Sequence, residues 1–152
     1  MFYEQLCARE GRSMSVPAEV RLAEAERWLT YAAEDLHAAE SALCEAHLAP
    51  RHRCTFAQQA AEKALKAALV SLGIDPPRTH NLQLLADLLP VQWGVSSLEV
   101  DFASLSMWAV ESRYPGDWPE STDTDAEAAV SAARAVLDAI VGNVRNAQNY
   151  LL

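Results

Sequence analysis

The sequence predicts an all-α fold, an up-and-down bundle of four to five helices. Apolar residues recur in alternating steps of three and four, helix-ending residues close each such stretch, and no segment sustains the two-residue alternation of a strand. At 152 residues the chain has the length of one domain with a single core. Residues 1–17 read as a flexible N-terminal arm and residues 18–150 as the bundle. Met14 is a second candidate start, because the patterned sequence begins just after Pro17.

The first helix is expected over residues 19–47, ending before Pro50. Leu22, Ala25, Leu29, Ala32, Leu36, Ala39, Leu43 and Ala46 form a heptad seam along it. Leucine at every seventh position would suit a leucine zipper. Alanine at the other seam position suits close packing within a bundle instead, and no basic region precedes the seam. Trp28 and Tyr31 flank it and are expected to widen the buried face.

The second helix is expected over 52–72, closed by Gly73 as a C-terminal cap before "IDPPRT". It carries two apolar stripes. Cys54, Ala57, Ala61, Leu65, Ala68 and Leu72 form one, and Phe56, Ala60, Ala67 and Val70 lie nearly opposite. Between them runs a polar strip of Gln59, Glu62, Lys63 and Lys66, with Glu62 and Lys66 at the favourable i,i+4 spacing. A helix apolar on two sides is sandwiched, either at the centre of the bundle or at a subunit interface.

A short third helix is expected at 80–90, with Thr79 as its N-cap and Pro90 at its end. "VQWGVSS" then makes a turn. The fourth begins at Ser96 and Glu99, which have capping-box spacing, turns Leu98, Phe102, Leu105, Ala109 and Trp108 inward, and ends near Ser112. The fifth begins at Thr124 and Glu127, again at capping-box spacing. It places Ala126, Ala129, Val130, Ala133, Leu137, Ile140, Val141 and Val144 on one face.

Charge and composition narrow the function classes. A net charge of −9 opposes non-specific binding to nucleic acid, so DNA is not an expected partner, although a local basic patch is compatible with it. No apolar run reaches the ~18 residues of a membrane span. The start holds Glu4, Arg9, Glu10 and Arg12 where a secretory signal needs an apolar core, so a cytoplasmic location is expected. Cys7, Cys44 and Cys54 read as reduced thiols without zinc-site spacing. His37, His47 and His52 have no ligand-like spacing, so neither a metal nor a cofactor is expected. With five glycines and neither GxGxxG nor GxxxxGK, no standard phosphate loop is present.

Three motifs stand in order: "AQQAAEKALKAALVSLG" (57–73), "PPRTHNLQLL" (76–85) and "ESRYPGD" (111–117). Together they resemble the HEPN domain family, an all-α bundle of higher eukaryotes and prokaryotes named for proposed nucleotide binding. The likeness spans roughly residues 20–147. It implies a homodimer and, as for many prokaryotic members, a minimal nucleotidyltransferase as partner in a toxin–antitoxin pair. Active members are metal-independent ribonucleases that use an arginine followed, after four to six residues, by a histidine.

That chemistry needs a base near neutrality and a cation that grips phosphate. Counting from Arg113, the permitted histidine positions hold Trp118, Pro119 and Glu120. Arg51 is adjacent to His52, and Arg78 is only two before His80, so neither restores the pattern. The resemblance therefore implies a non-catalytic module that engages a nucleotidyltransferase, a nucleotide or RNA. The ligand-binding set it suggests is Lys63, Lys66, His80, Arg113, Tyr114 and Asp117, with Arg113 the candidate for any catalytic role.

Each of these residues has a plainer reading. Arg113 suits the C-terminal end of a helix dipole. Tyr114 and Trp118 suit loop anchors packed on the bundle as well as base-stacking platforms. His80 either bonds a backbone group at a helix start or lines a cleft with Lys63. Lys63 and Lys66 read as a solvated strip beside Glu62. Two further functions stay open: a ribonuclease rewired around Arg113 with Glu120 or His80, and a purely structural bundle docking through Phe56 and Ala67.

Overall fold

The alternating leucine and alanine seam becomes the inner face of the first helix, α1 (Ala18–Ser41), where Ala25, Leu29, Ala32, Leu36 and Ala39 are all buried. The computed structural model describes residues 16–149, so most of the expected N-terminal arm lies outside the described residues. Four more helices follow: α2 (Pro50–Ser71), α3 (Leu82–Asp87), α4 (Phe102–Glu111) and α5 (Asp123–Asn149). Single 3-10 turns at Ala42–Cys44 and Val91–Trp93 lie between them, and no strand occurs among the described residues. None of these helices is long and apolar enough to cross a membrane.

α2 is the hub. It packs against α1, α3, α4 and α5, which explains its two apolar stripes. Ala57, Ala60, Ala61, Ala64, Leu65, Ala67, Ala68 and Leu69 are fully buried on it. The choice between a central helix and a subunit interface is thus decided for the centre. The docking face expected from Phe56 and Ala67 is corrected with it, because Ala67 has no exposed surface and only Phe56 reaches solvent. Alanine on both α1 and α2 brings the two helices close, since interaxial distance follows side-chain size at the contact. Polar contacts set the directions: Arg53 and Asp123 join the starts of α2 and α5, so these two run in parallel. Arg134–Glu40 and Gln148–Glu26 hold α1 antiparallel to α5.

The expected boundaries are corrected in four places. α1 stops at Ser41, not near residue 47, so the last seam residue, Ala46, is exposed. Tyr31 is also exposed, at 62%, because the core is already filled by the seam, whereas Trp28 is half-buried with Nε1 donating to Glu24. Asn81, not Thr79, caps α3 by accepting from the Leu84 N–H at 3.1 Å, while the Thr79 hydroxyl accepts from the Asn81 N–H. α4 starts after Asp101, which accepts from the Ser104 N–H at 2.9 Å, so Ser96 and Glu99 lie in the preceding loop.

The fourth correction is at α5. A capping box does form, but from Thr122 and Asp125. The Asp125 N–H donates to Thr122 Oγ1 at 3.1 Å, and the Thr122 N–H donates back to Asp125 Oδ2 at 2.7 Å. Replacing Thr122 with alanine should therefore cost about 1 kcal/mol. Thr124→Ala should change stability by less than about 0.5 kcal/mol, because Thr124 is exposed and makes no cap. Thermal unfolding of the two variants checks the difference.

Gly73 closes α2 as expected. Its φ of 75° lets the Ile74 N–H reach back to the Leu69 carbonyl at 2.9 Å, a Schellman-type end available to glycine at little strain. The turn leads into the 74–81 loop and so fixes where His80 meets α2.

Candidate functional site

Of the six residues singled out in the sequence, Lys66 and His80 meet in one place, Arg113 and Tyr114 in another, and Lys63 and Asp117 join neither. The first is a polar network inside the bundle. Glu62 is 7% exposed, and its carboxylate accepts from three side chains. Lys66 Nζ donates to Oε1 at 2.7 Å, and Gln58 Nε2 donates to Oε2 at 2.7 Å. His80 Nδ1 is 2.9 Å from the same Oε2. An ionised carboxylate only accepts, so the His80 proton must be on Nδ1 in this contact. Gln58 is buried in turn, and its amide oxygen accepts from Gln59.

Burial pushes the Glu62 carboxyl up, but the bonds from Lys66, His80 and Gln58 outweigh it and hold it below its ordinary 4.5. The sign of the pH dependence follows. A carboxyl held low in the folded state adds stability above its unfolded pKa and loses it as pH falls through the lowered value. Melting temperature measured between about pH 7 and about pH 3 should fall more steeply for the wild type than for Glu62→Gln. Parallel curves would show that Glu62 does not titrate as the geometry requires.

Lys63 does not join this network. It pairs with Asp35 on α1, so the cleft expected between His80 and Lys63 is replaced by a contact of His80 with Glu62 beside Lys66. The strip read as solvated is correspondingly half core: Glu62 is buried, and Lys63 and Lys66 are partly so.

The second place is a cavity of about 300 Å³ at the 111–121 loop. Arg113 follows the end of α4, and both it and Tyr114 line the cavity from exposed positions. Trp118 is the loop anchor: its ring is half-buried and its Nε1 donates to the Glu111 carbonyl at 3.2 Å. A side chain on Gly116 would bring its Cβ within 2.4 Å of that ring, so the loop closes only over glycine. Tyr114, 63% exposed, is not an anchor. Asp117 is exposed and is absent from the lining.

Arg51, at the start of α2, is the lining residue that sequence reasoning missed as a partner of Arg113. Neither guanidinium forms an ion pair among the described residues. Glu120 lines the cavity too, whereas no histidine does. The buried Cys54 thiol, which does not line the cavity, offers no nucleophile, because burial, assisted by Asp125, pushes it up to about 12. Among the described residues no three His, Cys, Asp or Glu side chains converge as a metal-binding group. The cavity presents Arg51 and Arg113 beside Glu111, Glu120 and an exposed tyrosine, and the two guanidiniums, in no ion pair among the described residues, are suited to a phosphate or carboxylate group.

The HEPN domain model matches residues 25–144 of this chain. Two solved structures are similar over most of it. One is TT1696 from Thermus thermophilus, 26% identical with a TM-score of 0.66, covering 78% of this chain and 96% of that one. The other is ST0689, described as an archaeal HEPN homologue, 27% identical with a TM-score of 0.62, covering 79% and 97%. A search of curated proteins gave no match.

Proposed function

This chain belongs to the HEPN domain family, and from that we propose that it is a non-catalytic binding module. In this reading it forms a homodimer in the cytoplasm and binds a nucleotidyltransferase partner of the toxin–antitoxin kind, a nucleotide, or both. The observation that carries the reading is the loop cavity: Arg51 and Arg113 both line it, beside Glu111 and Glu120 but in no ion pair among the described residues, and no histidine lines it. A phosphate could be gripped, but the proton-accepting group of the family's ribonuclease chemistry is missing. Arg113 and Tyr114 keep the binding role. Lys63, Lys66 and His80 are engaged by Asp35 and Glu62, so their contribution is to hold the bundle in shape.

Light scattering should give the mass of a dimer, and co-purification from the native host should retain a nucleotidyltransferase. Calorimetry with ATP and AMP tests the nucleotide arm. Arg113→Ala should weaken such binding by roughly tenfold or more, the value of one charge-assisted contact to phosphate. A strict monomer with neither partner nor nucleotide would end the proposal.

One observation favours a second reading, a rewired ribonuclease: Glu120 shares the cavity with Arg113 and could accept a proton. Carboxylates are weaker bases near neutrality than histidine, which makes this the slower chemistry. Total RNA incubated with wild type and with Arg113→Ala decides it, and identical cleavage profiles exclude it.

A further inference from the structure

A second opening, of about 700 Å³, runs between α4 and α5. It shares Trp108, Glu111, Pro119 and Glu120 with the arginine cavity, so the 111–121 loop is the wall between the two. The flanks of this groove differ. α4 contributes Leu105, Met107 and Trp108, and Met107 is 50% exposed. α5 presents Ala128, Ala132 and Ala135, which at i, i+4 and i+7 form one low ridge. A low ridge facing a bulky wall leaves room for one more helix, because side-chain size at the contact sets how closely helices approach.

The rim has a single sign. Glu99, Asp101, Glu111, Glu120 and Asp125 line the groove, and no lysine or arginine does. Asp101 and Asp125 also cap their own helices, but Glu99, Glu111 and Glu120 form no ion pair among the described residues. Apolar floor and acidic rim together are the complement of a helix with an apolar face flanked by cations. We propose that this groove docks a cationic amphipathic helix belonging to a different polypeptide. α4 is 10 residues long, about 15 Å, so the occupant contacts it over about three turns. A second copy of this chain is the poorer fit: it carries a net charge of −9, and groove against groove would oppose two acidic rims. The inference does not depend on the nucleotide or dimer reading above.

The probes are two synthetic amphipathic peptides of three to four turns, leucine on one face, with lysine on the other in one peptide and glutamate in its counterpart. Fluorescence anisotropy should show the lysine peptide binding at least tenfold more tightly than its counterpart, with affinity falling as salt is raised. Ala128→Trp fills the groove from an exposed position without changing charge, and should abolish binding. Glu99→Gln should weaken it while leaving the melting temperature unchanged.

Equal affinity for the two peptides would overturn the proposal. So would undiminished binding to Ala128→Trp, which would mark the attraction as general to an acidic surface. A homodimer that refuses the peptide and falls apart on Ala128→Trp would assign the groove to a second copy and overturn it as well.

Discussion

Replacing Glu62 with alanine should destabilise the protein by about 3–5 kcal/mol, the usual cost of removing one partner of a buried ion pair. The side chain is 7% exposed and bonds Lys66, Gln58 and His80. Without it the Lys66 ammonium, whose side chain is 15% exposed, has lost its counter-charge in a low-dielectric setting. For a chain of this length the melting temperature should fall by roughly 6–20 °C. Glu62→Gln should cost less, because the amide oxygen still accepts while the charge is gone. The double replacement Glu62→Leu with Lys66→Met should recover most of the loss, since no charge is then stranded. A local readout separates this from a general loss of packing. His80 ties the 74–81 loop to α2 through Glu62, so amide exchange should rise there before it rises in the α1–α2 seam. If Glu62→Ala melts with the wild type, the network adds nothing to the fold.

This network also marks where the sequence stops being legible. Glu62 and Lys66 at i,i+4 look like an exposed pair, because that spacing is commonest on solvated helix faces. What the spacing does not show is that Glu62 is buried and that the 74–81 loop brings His80 to the same carboxylate. The helix starts blurred for a related reason. Thr79 and Asn81, Ser96 and Asp101, and Thr122 and Thr124 are all competent caps, and local chemistry ranks them nearly alike. The choice falls to the residue whose helix buries the right side chains, here Leu82, Phe102 and Ala126. Arg51 had no signal at all: only the packing of α2 beside α4 carries it to the cavity that Arg113 lines. By contrast, the loop chemistry at Trp118 and Gly116, and the place of Arg113 after α4, follow from residues close in sequence.

The second large effect is expected in the seam, the part of the fold most legible in advance. Leu36→Ala should cost about 2–5 kcal/mol, because Leu36 has no exposed surface and its loss leaves a cavity among packed helices. The melting temperature should drop by roughly 4–20 °C. Position along α1 then grades the series. Leu29 is 6% exposed and should behave nearly like Leu36, whereas Leu22 and Leu43 only pack against the edge of the core and should cost less. The gradient distinguishes two origins of the same heptad pattern. In a zipper between chains, the four leucines would contribute comparably and melting would depend on protein concentration. In this bundle α1 faces α2 within one chain, so the losses should peak in mid-helix and be the same at every concentration. A flat series that shifts with concentration would move the seam from the core to an interface.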